Sequence, residues 1–187
     1  MYSCAVAYSG RGRLAAAVAG YLISRGTRVI GIVDRNSARR EPLERLGVEV
    51  FQIQNAAEAW LRVCHEQKVR LIALAGYLAL VPEAVVQAYP KRILNSHPAL
   101  LPAFGGKGMY GRRVHEAVAA SGAYESGFTI HFVSERYDEG PILHQVRLPV
   151  WGLSAVQIEA FIQAAEREIY PALVYSVWLG LDASQQL

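Results

Sequence analysis

Short apolar runs alternate along the first half of the chain with stretches in which apolar residues recur every three or four positions. "CAVAYS" (4–9), "RVIGIVD" (28–34), "VEVFQI" (48–53), "VRLIALAG" (69–76) and "RILNSH" (92–97) are short, apolar and rich in branched residues, and each predicts a strand. The intervening segments predict helices over 13–24, 38–46, 56–67 and 82–88, with Gly26 stopping the first and Pro82 opening the last. Pro42 makes the start of the second helix ambiguous. Residues 69–76 are apolar almost throughout, as expected of a parallel strand covered on both faces. This alternation predicts an α/β fold with a doubly wound, mostly parallel sheet.

Beyond residue 97 the pattern changes. "PALLPAFGGKGMYG" (98–111) is rich in Pro and Gly and predicts a long loop, a class that usually carries function. A helix is expected over 113–120. "SGFTIHFVS" (126–134) and "PILHQVRLPV" (141–150), joined by "ERYDEG", predict an antiparallel strand pair. Ser154 and Gln157 have capping-box spacing and open a long C-terminal helix. Tyr170–Pro171 should break or kink it. The expected organisation is one domain over 1–187, with a phosphate-binding α/β half (1–97) and a half (98–187) holding loop, strand pair and final helix.

Composition adds only bounds. Hydrophobic residues make up 52% and charged residues 19%, a globular balance. The formal charge of +3, mostly scattered Arg, is too mild for a nucleic-acid binder and suits small anionic substrates. No apolar run reaches membrane-span length and no basic leader is evident, so neither a membrane nor a secretory role is expected. Cys4 and Cys64 lie in apolar or helical surroundings, which predicts buried free thiols in a reducing compartment, the cytoplasm.

Two segments carry chemistry. "SGRGRLAA" sets Gly10, Gly12 and Ala15 in a G-x-G-x-x-A pattern after the first strand, and Asp34 ends the second. That spacing fits a Rossmann-like dinucleotide fingerprint with a ribose-binding acid. The same glycines and helix N-terminus suit any phosphate, so the loop reports phosphate better than it reports a nicotinamide cofactor. "ILNSHP" places Asn95 and His97 two apart at the end of an apolar strand, on the same side and facing the crevice of a parallel sheet. An Asn amide suits a developing oxyanion, and His exchanges protons near neutral pH. Asp138, in the turn before "GPIL", is the natural third partner.

"LAGYLALVP", "ILNSHPALLPAFGG", "SGFTIHFVSERYDEGPILHQVRLPV" and "EREIYP" together resemble the folate-dependent formyltransferases. Within that family the "GGKGMYG" loop and the H-F-V-x-x-x-x-D-x-G-P-I-L-x-Q run are similar to the glycinamide ribonucleotide enzymes of purine synthesis. The resemblance spans nearly the whole chain in order. It implies formyl transfer from 10-formyltetrahydrofolate to the amine of glycinamide ribonucleotide, with no metal, by a monomer or homodimer. The catalytic trio falls on Asn95, His97 and Asp138, with a protonated His97 joining Asn95 at the oxyanion. The resemblance puts the substrate phosphate on Gly12, Arg13 and Leu14, and the ribose on Gln163 and Glu166. The reduced folate would lie on Leu78, Ala79, Leu80 and Val81, largely through backbone atoms, and on Ser134, Glu135, Arg136 and Tyr137. His131 matches a histidine of the family's site. Three residues depart from the family pattern. Arg13-Leu14 stands in place of Ser-Asn or Thr-Asn, Ala79 in place of an Arg, and Ser96 in place of an apolar residue. An amino-sugar nucleotide is the alternative acceptor, and a nicotinamide-dependent oxidoreductase the alternative class.

Overall fold

The structure, a computed structural model, describes residues 1–34 and 39–183. Its elements in chain order are β1 (Ser3–Tyr8), α1 (Arg13–Ile23), β2 (Arg28–Asp34), α2 (Glu41–Glu44), β3 (Glu49–Ile53), α3 (Ala57–Glu66) and β4 (Val69–Leu74). There follow α4 (Glu83–Ala88), β5 (Ile93–His97), α5 (Arg112–Ala120), β6 (Glu125–Phe132), β7 (Ile142–Pro149) and α6 (Ala155–Ala183). The strands form one sheet in the order β3-β2-β1-β4-β5-β6-β7. The first five run parallel, and β6 and β7 are antiparallel additions beside β5. The single sheet takes strands from both halves of the chain.

Strand alternation splits the core in two. Cys4, Val6 and Tyr8 face one side, against Ala15, Val18 and Leu22 of α1 and Ile158, Ile162 and Val174 of α6. Ala5 and Ala7 face the other, against Trp60 and Val63 of α3 and Val85 of α4. Both cysteines are buried and free, and burial pushes both thiols up, that of Cys64 to about 11. No helix among the described residues is long and apolar enough to cross a membrane.

Two expectations about helices differ from the structure. The helix expected over 38–46 is only Glu41–Glu44, with residue 38 outside the described residues. Its Pro42 lies in the first turn, and the chain turns away at once through Gly47, at φ 74°. The second difference is that α6 runs unbroken through Pro171. A proline inside a helix costs roughly 3 kcal/mol. The residues around it recover more. Tyr170 is fully buried and its hydroxyl donates to the Leu74 carbonyl (3.0 Å) and the Leu94 carbonyl (3.2 Å), tying the helix to β4 and β5. Ile162 and Val174 are sealed on the same face, at about 1.5–3 kcal/mol each. The helix starts as its sequence predicts: Ser154 N–H donates to Gln157 Oε1 (2.9 Å) and Gln157 N–H to Ser154 Oγ (3.4 Å).

Candidate active site

β1 leads outward to β2 and β3 on one side, while β4 and β5 lie on the other, so the chain reverses direction across the sheet at β1 and β4. Loops diverge at such a point and leave a crevice beyond the strand ends. A cavity of about 840 Å³ opens there. Its walls come from residues 11–14 after β1, 76–81 after β4, 95–98 at the end of β5, 106–111 of the long loop, Arg112 and Arg113 at the start of α5, 136–138, and Gln163, Glu166 and Arg167 of α6.

One wall gathers four polar side chains. Asn95 lies opposite His131 in the β5–β6 ladder, and His97 opposite Thr129. Asn95 Nδ2 is 3.1 Å from His131 Nε2, and His131 Nδ1 is 3.1 Å from the Phe132 carbonyl. With Nδ1–H donating to Phe132, Nε2 accepts from the Asn95 amide, an assignment made from the network. His131 thereby orients Asn95 and leaves the second amide hydrogen available. His97 is 4% exposed. Its Nε2–H donates to the Phe104 carbonyl (2.8 Å), and Nδ1 lies 3.4 Å from Asp138 Oδ2. Asp138 Oδ1 is 3.6 Å from His131 Nε2, and Asp138 Oδ2 accepts the Gly106 N–H at 2.9 Å.

The turn that delivers Asp138 is built for it. Asp138 has φ 58°, a left-handed conformation that Asp tolerates better than most residues. Gly140 packs so closely that a Cβ there would lie 1.7 Å from the Phe132 carbonyl oxygen. The long loop is anchored by Thr129, whose hydroxyl donates to Ala99 O and accepts Leu101 N–H, and by Gln145, whose amide donates to Leu101 O.

Electrostatics revise the expected charge on His97. Burial lowers its pKa below the ordinary histidine value and outweighs the opposing pull of Asp138 and Phe104. The imidazole is therefore biased toward neutrality in the free protein. Its Nε2–H is already engaged by Phe104, so an oxyanion would have to compete for that donor. Burial alone would raise Asp138, but the imidazoles of His131 and His97 beside it and the Gly106 N–H hold it below the usual carboxylate range.

The opposite end of the cleft begins at Gly12, which caps α1 at φ 65° with no side-chain cap. A Cβ at Gly12 would lie 2.7 Å from the Tyr8 ring. The first helical bond runs from Ala16 N–H to Gly12 O, so the N–H groups just before it have no partner within the helix. Arg13 and Leu14 line the cleft beside them, as does Arg11. Also lining the cleft are Gln163, whose amide donates to Glu159, and Glu166, which accepts the Ser96 hydroxyl at 2.7 Å. Asp34, at the end of β2, does not line this cavity.

Burial pushes the Glu166 carboxyl up to about 7, against the lowering effects of Ser96 and Arg167. The folded protein then holds this proton more tightly than the unfolded chain. The group's stabilising contribution is complete below the ordinary 4.5 and is lost as pH rises through about 7. Glu166→Gln has no such proton to lose. Its thermal midpoint should fall less than the wild type's between about pH 5 and about pH 8, by the equivalent of a few kcal/mol. Parallel pH curves would contradict this.

Residues 77–81 form the remaining wall. Leu78 and Leu80 are 49% and 38% exposed and Val81 is buried. Asn55, which no motif singles out, shapes this segment. Its amide donates to Leu80 O (2.8 Å), while its carbonyl oxygen accepts Tyr77 O–H and Trp60 Nε1–H. Leu78 N–H donates to Ser9 Oγ (3.2 Å). Arg136 and Tyr137 reach the cavity, whereas Ser134 and Glu135 do not line it. Ser134 Oγ donates to Arg136 O, and Glu135 accepts from Gln87. Lys107, Arg112, Arg113, His115 and Arg167 also line the cleft without having been singled out from the sequence. Lys107 lies in the GGKGMYG loop and Arg167 in EREIYP, two segments that carry the family resemblance, while Arg112, Arg113 and His115 lie outside them.

This fold matches known proteins. The chain belongs to the formyl transferase family, whose model matches residues 11–174. Among its relatives, the chloroplastic phosphoribosylglycinamide formyltransferase of Arabidopsis thaliana is 54% identical over 108 residues, 58% of this chain and 34% of that protein. The phosphoribosylglycinamide formyltransferase of Bacillus subtilis is 37% identical over 116 residues, 62% of this chain and 56% of that protein. The matched stretch thus spans about a third and about half of those relatives' lengths. The crystal structure of glycinamide ribonucleotide transformylase 1 from Geobacillus kaustophilus superposes with a TM-score of 0.83 at 31% identity, covering 95% of this chain and 98% of that one.

Proposed function

We propose that this chain transfers the formyl group of 10-formyltetrahydrofolate to the primary amine of glycinamide ribonucleotide. The observation that carries the proposal is one cleft with Asn95, His97 and Asp138 clustered on one wall and an uncapped helix N-terminus flanked by Arg11 and Arg13 at the other. Such a helix start favours a dianion. The apolar wall of Leu78 and Leu80 and its peptide groups suit the flat, hydrogen-bonding pterin of the reduced folate, and Arg136 and Tyr137 flank it. Gln163 and Glu166, which line the same cleft, are assigned to the ribose. We further assign the chain to the cytoplasm, acting on small molecules as a monomer or homodimer, with residues 1–187 as a single formyltransferase domain. Two buried free thiols suit a reducing compartment.

The folate supplies a formyl group on nitrogen. Attack by the amine places negative charge on the formyl oxygen, and the second amide hydrogen of Asn95, aimed by His131, donates there. The attacking amine must lose a proton and the departing nitrogen must gain one. Neutral His97 accepts the first through Nδ1, the nitrogen that faces Asp138, and a water held by Asp138 relays it. Asp138, kept charged, then stabilises the imidazolium. Holding both substrates in one cleft contributes much of the acceleration without a covalent intermediate. Loop 102–111 borders the reacting centre through Gly106 and limits hydrolysis of the formyl group.

Arg13 stands where the family carries a short polar side chain, which makes an amino-sugar nucleotide the second acceptor to test. A formyl-transfer assay with glycinamide ribonucleotide beside a panel of other amines decides between them. Turnover with none of them, together with nicotinamide binding, would overturn the reading. Arg13 itself adds a guanidinium fork able to meet two phosphate oxygens. Arg13→Ala should raise the KM for the phosphorylated amine about tenfold, roughly 1.4 kcal/mol, and leave the dephosphorylated analogue unaffected. Equal effects on both would mean that Arg13 does not read phosphate.

A further inference from the structure

Ser96 lies between Asn95 and His97 on β5 and, by strand alternation, points to the opposite face of the sheet, toward α6. Its hydroxyl donates to Glu166 Oε1 at 2.7 Å across 70 residues of chain. Ser96 is 7% exposed and Glu166 6%, yet both line the cleft. Among the described residues no other group donates a hydrogen bond to this carboxylate. A glutamate side chain has several staggered rotamers. One short bond from a hydroxyl mounted on a rigid strand selects among them and assigns the two oxygens different tasks. An apolar residue at position 96 would supply no such donor.

We propose that Ser96 is a positioning residue that sets affinity for the amine substrate, by holding Glu166 Oε1 so that Oε2 accepts hydrogen bonds from the ribose hydroxyls. This rests on the reading of the cleft as a glycinamide ribonucleotide site. A carboxylate oxygen has lone pairs enough for two neighbouring hydroxyls, a feature that a ribose offers and a simple amine does not. Ser96 then acts on recognition of the acceptor. Its neighbours Asn95 and His97 act on the chemistry from the other side of the same strand.

The test compares wild type, Ser96→Ala, Ser96→Thr, Glu166→Ala and the Ser96→Ala/Glu166→Ala double variant. KM for both substrates and kcat are measured, with calorimetric titration of glycinamide ribonucleotide in the absence of folate. Ser96→Ala should raise the amine KM and weaken calorimetric binding about tenfold, the size of one hydrogen bond to a charged group. The folate KM and kcat should hold. Ser96→Thr should restore binding, and Ser96→Ala should add nothing once Glu166 is Ala, which leaves no oxygen for the hydroxyl to hold. An unmoved amine KM in an otherwise active enzyme overturns the role of Ser96 alone. So does a loss that spreads equally to folate, or one that persists in the Glu166→Ala background. If wild type binds the ribonucleotide without formylating it, the functional reading fails and calorimetry still decides the role of Ser96. No binding at all overturns both.

Discussion

His97→Ala and Asp138→Asn are each expected to fold and to lose about 10²–10⁴-fold in turnover, the range typical of general acid–base groups. The two act as one unit: His97 Nδ1 faces Asp138 Oδ2 at 3.4 Å, and Phe104 O occupies the other ring nitrogen. The only lone pair on the neutral ring therefore faces Asp138, and a proton entering this ring enters there. Asp138→Asn isolates charge from shape. Asn also tolerates φ near 58° and still offers an oxygen to the Gly106 N–H, so the turn should survive. What it lacks is the negative charge that stabilises the imidazolium. Because the pair shares one proton path, the double variant should be little worse than the more damaged single one. Near-normal turnover of folded His97→Ala, or multiplicative losses in the double variant, would count against this assignment.

Asn95→Ala should lower the single-turnover rate by roughly 3–4 kcal/mol, the loss seen when one preorganised oxyanion donor is removed. Folate affinity should hold, because the donor matters only once charge develops. Asn95 is preorganised: this half-buried amide projects from a sheet strand, and His131 Nε2 at 3.1 Å fixes its rotation. The comparison that decides is single-turnover rate against folate Kd. A fall in affinity with an unchanged rate would make Asn95 a binding residue.

Much of this was legible in the chain. β2 spans residues 28–34 as its apolar run predicts, and the antiparallel β6–β7 pair lies where two alternating runs flank a charged turn. Asn95 and His97 flank Ser96 on a strand, so their common face follows from backbone geometry alone. The glycine pattern at 10–12 likewise marks a tight, uncapped helix start. All these features depend on neighbours a few residues apart, which periodicity and turn chemistry encode directly.

Tertiary structure alone decided the rest. Pro171 reads locally as a break, yet the helix persists because Tyr170 and Val174 are buried against strands nearly a hundred residues away in sequence. Ser96 reads locally as a small polar residue in an apolar strand, and its meaning appears only when α6 brings Glu166 to 2.7 Å. The charge state of His97 is likewise absent from the motif. It depends on how far burial opposes Asp138, and burial is a property of the packed molecule. The sequence by itself determined which elements form and which faces they bury, because those choices are made over one or two turns of chain. Which polar groups meet inside the cleft was decided by long-range packing, whose contacts join segments that no local pattern relates.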